Sequence, residues 1–161
     1  MKSAIALFVI SVGTIAFAEE SLQRDWLVQP IHETVRVQES ASGKELILSN
    51  GLISRTFRLQ PNLSTISFKN LTTGEEFVRG VKPEAAVVLD GQEYNIGGLQ
   101  GQPDYGYLDP AWLESMTSDP AAIQFTNFTI GETSALFSWK RVRHCEDRPW
   151  PPKGKSVAFH F

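Results

Sequence analysis

From Glu45 onward, apolar and polar residues alternate in short runs, each closed by residues that favour turns. Leu46-Ile47-Leu48 leads into Ser49-Asn50-Gly51, where Asn-Gly supplies the positive φ values of a tight hairpin. The return run places Ile53, Phe57 and Leu59 on one face, with Arg55 among them, and Ser54, Thr56 and Arg58 on the other. That period of two marks a half-buried strand. Pro61-Asn62 breaks the run, and residues 64–69 predict another strand with Ile66 and Phe68 inward. Residues 70–74 predict a turn and residues 76–79 a return to extended chain. Residues 85–89 are continuously apolar, as expected of a strand covered on both sides. Asp90-Gly91 predicts a two-residue hairpin into residues 92–96.

The β pattern returns at residues 123–130 and 135–142, with Gly131-Glu132 as the turn between them, and again at residues 156–161. Upstream, residues 34–38 predict a short strand and residues 39–43 a flexible turn, within a loosely structured stretch covering residues 19–44. Closely spaced strands with such turns predict an all-β domain over residues 45–161, an antiparallel sandwich. The last run alternates up to Phe161 with no turn or cap behind it, so the sandwich is expected to be incomplete there and the chain to continue.

Two segments lack periodicity. Residues 97–107 alternate glycine with aromatic and polar residues and lead into residues 110–116, which predict one short helical turn. Residues 143–154 form the second. Long irregular insertions in a compact sandwich are often functional loops.

The first 18 residues have another character. Lys2 gives a positive start, residues 4–16 are almost wholly apolar, and Ala16-Phe17-Ala18 places small residues where a signal peptidase reads. A signal peptide cut after Ala18 predicts secreted or periplasmic localisation. Its loss leaves 143 of the 161 residues, the size of one ordinary domain, and takes the net charge from −3 to −4. Mild acidity argues against a nucleic-acid partner, which would demand a basic stripe. No later apolar run approaches the roughly 20 residues of a membrane span. Cys145 is the only cysteine, so no intramolecular disulfide can form, and burial is the expected state of its thiol.

Gly97-Gly98-Leu99-Gln100-Gly101 lacks the Gly-Lys-Ser/Thr and the following helix of a phosphate loop. Its glycines are read as backbone freedom in a surface loop. His144, Cys145, Glu146 and Asp147 are metal-binding types, but consecutive residues do not aim at one point. His32 and His160 lie in unrelated segments, so no metal or cofactor is expected. Arg141, Arg143 and Arg148 are expected to pair with Glu146 and Asp147. No Gly-x-Ser-x-Gly elbow occurs, and the carboxylate pairs Glu75-Glu76 and Glu146-Asp147 read as solvated surface charge, so no catalytic residue is assigned. Asn62-Leu63-Ser64, Asn70-Leu71-Thr72 and Asn127-Phe128-Thr129 match the N-glycosylation pattern.

Four aromatics outside the regular strands are the candidate carbohydrate contacts: Tyr105, Tyr107, Trp112 and Trp150. Such rings can stack on sugar faces while offering a polar tip, or they can seal the sandwich edge or pack against another domain. Pro151-Pro152 fixes where the Trp150 indole points.

Three groups of blocks carry a resemblance. They are residues 50–58 (Asn-Gly-Leu-Ile-Ser-Arg-Thr-Phe-Arg), then Val81-Lys82-Pro83-Glu84-Ala85 with Leu89-Asp90-Gly91 and Gly97-Gly98-Leu99, and residues 139–143 through 150–154. Together they resemble the N-terminal domain of large bacterial glycoside hydrolases, particularly α-galactosidase-like proteins. The resemblance implies a β-supersandwich packed on a (β/α)8 barrel of the same chain. That barrel carries the two acids of a retaining mechanism. No strand–helix alternation occurs here, so none of the barrel's residues maps onto this chain. The resemblance thus implies an inactive supporting domain, homo-oligomer contacts, and a loop at the rim of a sugar pocket. The alternative from another class is a stand-alone exported carbohydrate-binding or adhesion module.

Overall fold

A computed structural model describes Val28, residues 34–140, Val142 and residues 149–161. Residues 1–18, where a signal peptide is expected, His32, Arg141, and the run from Arg143 through His144, Cys145, Glu146 and Asp147 to Arg148 lie outside the described residues. Among the described residues the architecture is all-β and antiparallel, with a single 3-10 turn at Pro110–Trp112. Strands β1 (Arg36–Glu39), β2 (Glu45–Ser49), β3 (Ile53–Arg58) and β4 (Ser64–Asn70) form a meander in the order of the chain. Strands β5 (Ala85–Leu89) and β6 (Gln92–Ile96) form a hairpin, and β7 (Asn127–Glu132) pairs with β8 (Lys155–His160).

Both faces of the meander are used. Leu46, Phe57, Leu59 and Leu63 form a buried cluster against Phe125, Phe128, Val157 and Phe159, which brings β7 and β8 face to face with β2 and β3. The Phe159 ring is the hub, with centroids 4.7 Å from Phe57, 6.1 Å from Phe125 and 6.5 Å from Phe128. This is a two-layer sandwich joined by side chains from both inner faces. On the opposite face, Ile66 packs with Val81, Leu99, Leu113 and Met116. The irregular stretch between β4 and β7 is therefore a second cover and not a surface excursion.

That second cover changes the reading of β3. Arg58, placed by alternation on the polar face, is buried, because residues 110–116 lie over it. Its guanidinium meets Glu45 Oε1 at 3.1 Å, Glu114 Oε1 at 2.7 Å and the Gln60 carbonyl at 2.9 Å. A buried cation persists only with such partners. A β-bulge between Thr56 and Phe57 shifts the register with β4, leaving Ile66 as the extra residue.

Several local expectations are corrected. The β2–β3 turn is wider than a two-residue hairpin: Ser49 pairs Ser54, only Gly51 has positive φ, and Asn50 Oδ1 accepts the N–H groups of Leu52 and Ile53. Residues 76–79 make one isolated bridge, Lys69 with Glu76, in place of a strand. Strand β5 is not covered on both sides. Its hairpin stands largely in solvent, with Val88 63% and Leu89 53% exposed. Gly131 and Glu132 are not a turn, because they lie within β7 and pair Ser156 and Lys155. With β7 matched to β8, residues 135–140 have no ladder to join and are irregular. The Asp90-Gly91 hairpin is as read: Leu89 pairs Gln92, and φ is 51° and 80° at the two turn residues.

Candidate functional site

The glycine-rich segment is held from inside by one side chain. Gln102 is buried, and its Oε1 accepts the Val81 N–H at 2.8 Å. Its Nε2 faces the carbonyls of Arg79 at 2.8 Å, Asp104 at 2.6 Å and Tyr107 at 3.1 Å. A single amide thereby ties the chain entering β5 to the loop carrying Tyr105. One residue further on, the Lys82 carbonyl accepts the hydroxyl of Ser64, which is fully buried, at 2.9 Å. The backbone on both sides of the Val81–Lys82 peptide is thus anchored.

The glycines supply close approach. Gly97 and Gly98 have φ of 66° and 95°, in the region L-residues avoid. A Cβ on Gly97 would collide with the Leu63 carbonyl, and one on Gly98 would stand 3.0 Å from Pro83. Their N–H groups are committed, Gly97 to the Ile123 carbonyl at 3.0 Å and Gly98 to that of Leu63 at 2.7 Å. They are therefore not turned outward as a phosphate cradle would require.

Between these segments lies a cleft of about 180 Å³, lined by Lys82, Asn95, Gly97, Gly98, Tyr105 and Asp119 among others. Lys82 Nζ sits 4.0 Å above the Tyr105 ring centroid, within cation–π range. Gly80 packs directly on that ring, since a Cβ there would stand 2.7 Å from Cδ1. Asp119 Oδ1 accepts the Ala121 N–H at 2.9 Å.

The four aromatics that the sequence singles out fall into three places. Tyr105 lines the cleft. Tyr107 and Trp112 stack on each other, 5.0 Å between centroids, and Trp112 packs on the buried cluster around Leu113, so it serves the core with part of its surface. Trp150 belongs to a separate exposed group, with centroids 5.6 Å from Phe137 and 5.5 Å from Trp139. Lys82, Asn95 and Asp119 are not among the residues that sequence patterns pick out as contacts. Lys82 alone carries a signal, because it stands in one of the blocks that bear the resemblance.

Other motifs resolve as structure. Asn62 is buried, its Oδ1 accepting the N–H groups of Leu63 and Phe125, so its sequon is closed in the folded chain. Glu76 is more than a solvated charge. Burial pushes its pKa up, but hydrogen bonds from Ser67, Val78 and Phe68 outweigh that and hold it below the usual carboxylate range. Among the described residues no three His, Cys, Asp or Glu side chains converge as a metal site requires. Comparison of the chain with family models, curated proteins and solved structures gives no match in any of the three.

Proposed function

We propose that this chain is a non-catalytic β-sandwich domain of a secreted glycoside hydrolase, α-galactosidase-like, that contributes a carbohydrate subsite at the Lys82–Tyr105 cleft. Hydrolysis belongs to a (β/α)8 barrel elsewhere in the protein, and residues 1–18 direct export. The observation that carries the reading is the convergence of two separated resemblance blocks. Residues 81–83 and 97–99 line the same cleft and are joined there by Tyr105, from the loop expected to rim a sugar pocket. A small recess with hydroxyl-pairing groups beside an aromatic ring has the chemistry of a monosaccharide subsite.

Titration of the protein with D-galactose and methyl α-D-galactoside, followed by amide chemical shifts, tests this. Shifts grouped on residues 81–83, 95–100 and 105 are expected. Shifts scattered over the surface, or none at millimolar sugar, contradict the subsite. Turnover of an aryl α-galactoside by residues 1–161 contradicts the non-catalytic assignment.

The exposed stack of Phe137, Trp139 and Trp150 favours a second reading, a stand-alone carbohydrate-binding or adhesion module. Alanine at Trp139 and Trp150 separates the two. Glycan binding lost with those rings supports the module, and binding that survives them but requires Lys82 and Tyr105 supports the hydrolase domain.

A further inference from the structure

We propose that the cleft takes a carboxylate-bearing sugar, a uronate, with Lys82 as the group that reads the carboxylate. This rests on the carbohydrate reading above and goes beyond it in naming the ligand's charge. Lys82 is held in place before any ligand arrives. Gln102 fixes the preceding N–H, Ser64 fixes the Lys82 carbonyl, and the ammonium rests on the Tyr105 ring. Gln102 also grips the carbonyls on either side of Tyr105, at Asp104 and Tyr107, so cation and ring are fixed by the same buried amide. Among the described residues no carboxylate lies within ion-pair distance of Lys82. With Lys82 across it, that ring face serves first as a seat for the ammonium and only secondarily as a stacking platform for sugar.

The other polar groups fit the rest of such a sugar. The Asn95 amide and the second Asp119 oxygen make no hydrogen bond among the described residues, and both pair well with ring hydroxyls. A phosphate fits less well. Lys82 is the one cation lining the cleft among the described residues, Asp119 opposes a dianion more than a monoanion, and the Gly97 and Gly98 N–H groups are already spent.

The test compares D-galacturonate with D-galactose by amide shift titration of the full chain and its Lys82→Gln variant at low salt. Lys82 is exposed, so the variant is expected to fold; a thermal melt checks this. Galacturonate is expected to bind about tenfold more tightly than galactose, and Lys82→Gln to bring the two within about twofold. In the unsubstituted protein the preference is expected to shrink as salt rises, a readout that needs no variant. Equal binding of the two sugars, or a preference that survives Lys82→Gln, overturns the uronate assignment and leaves the carbohydrate subsite standing. Binding of neither sugar overturns both. Lys82-dependent binding of a glutamate-rich peptide as tight as that of galacturonate overturns the sugar assignment in favour of an acidic protein partner.

Discussion

Val81 donates its N–H to Gln102 Oε1 at 2.8 Å, and both residues are buried. The contact joins residues 21 positions apart, and the same amide meets three further carbonyls. A loop without periodicity thereby acquires one conformation, because the two Nε2 protons of buried Gln102 are satisfied by the carbonyls of Arg79, Asp104 and Tyr107, which gather around that one nitrogen.

Replacing Gln102 with Leu keeps most of the volume and removes every one of these bonds. The Val81 N–H is then buried without a partner, which costs about 1–3 kcal/mol, and the loop loses the tie that places Tyr105. A urea midpoint lowered accordingly, with broadened amide signals at residues 103–107, is the expected result. An unchanged midpoint would show that Gln102 is incidental to the loop.

The glycines divide into those that need no side chain and those that tolerate one. Gly97→Ala meets the Leu63 carbonyl at a positive φ, and a loss of about 3 kcal/mol is expected from strain and overpacking together. Gly131 in β7 has no positive φ, and a methyl group there would find no atom within 4 Å, so Gly131→Ala is expected to change stability by less than about 1 kcal/mol. Thermal melts of the two variants side by side check the contrast.

Phe159 joins the two layers, touching Phe57 from the meander and Phe125 and Phe128 from the opposite side. Phe159→Ala is expected to cost about 3 kcal/mol by opening a cavity between the sheets. The loss is expected to appear as earlier unfolding of β2, β3, β7 and β8 together in hydrogen exchange. Early opening of β7 and β8 alone would mean that they dock only loosely.

The strands β1 to β6 and β8, and part of β7, are legible in the sequence because local alternation, short apolar runs and the Asp90-Gly91 turn are short-range signals. Arg58 shows where that legibility ends. Alternation places it opposite Phe57, but whether that face meets water depends on residues 110–116, more than 50 positions away. The strand expected at residues 135–142 is absent over the described residues 135–140 for the same reason. Its composition suits a strand, yet β7 finds its partner in β8, and the turn expected at Gly131-Glu132 is part of that ladder. Of the candidate site, Tyr105 is visible as an aromatic in a loop. Asn95 and Asp119 are not, since single polar residues carry no pattern until the fold brings them together.

Glu114 closes the network over Arg58. Hydrogen bonds from Lys44 first and Arg58 second hold its pKa down to about 2, from an ordinary 4.5. A carboxyl whose pKa is lower in the folded chain binds protons more readily when unfolded, so its contribution is complete above about pH 4.5 and is lost as pH falls through about 2. Glu114 is mostly exposed, which screens the attraction, so what is tested is the pH window and not a large energy. Urea midpoints of the native chain are expected to fall between pH 4.5 and pH 2.5, and Glu114→Gln is expected to flatten that part of the profile. Arg58→Met is expected to do more at neutral pH. It removes the buried cation but leaves Glu45 and the Gln60 carbonyl facing an apolar side chain, so a loss of about 3 kcal/mol is expected. A native profile that stays level below pH 4.5 would mean that the carboxylate of Glu114 does not bridge Lys44 and Arg58 in solution.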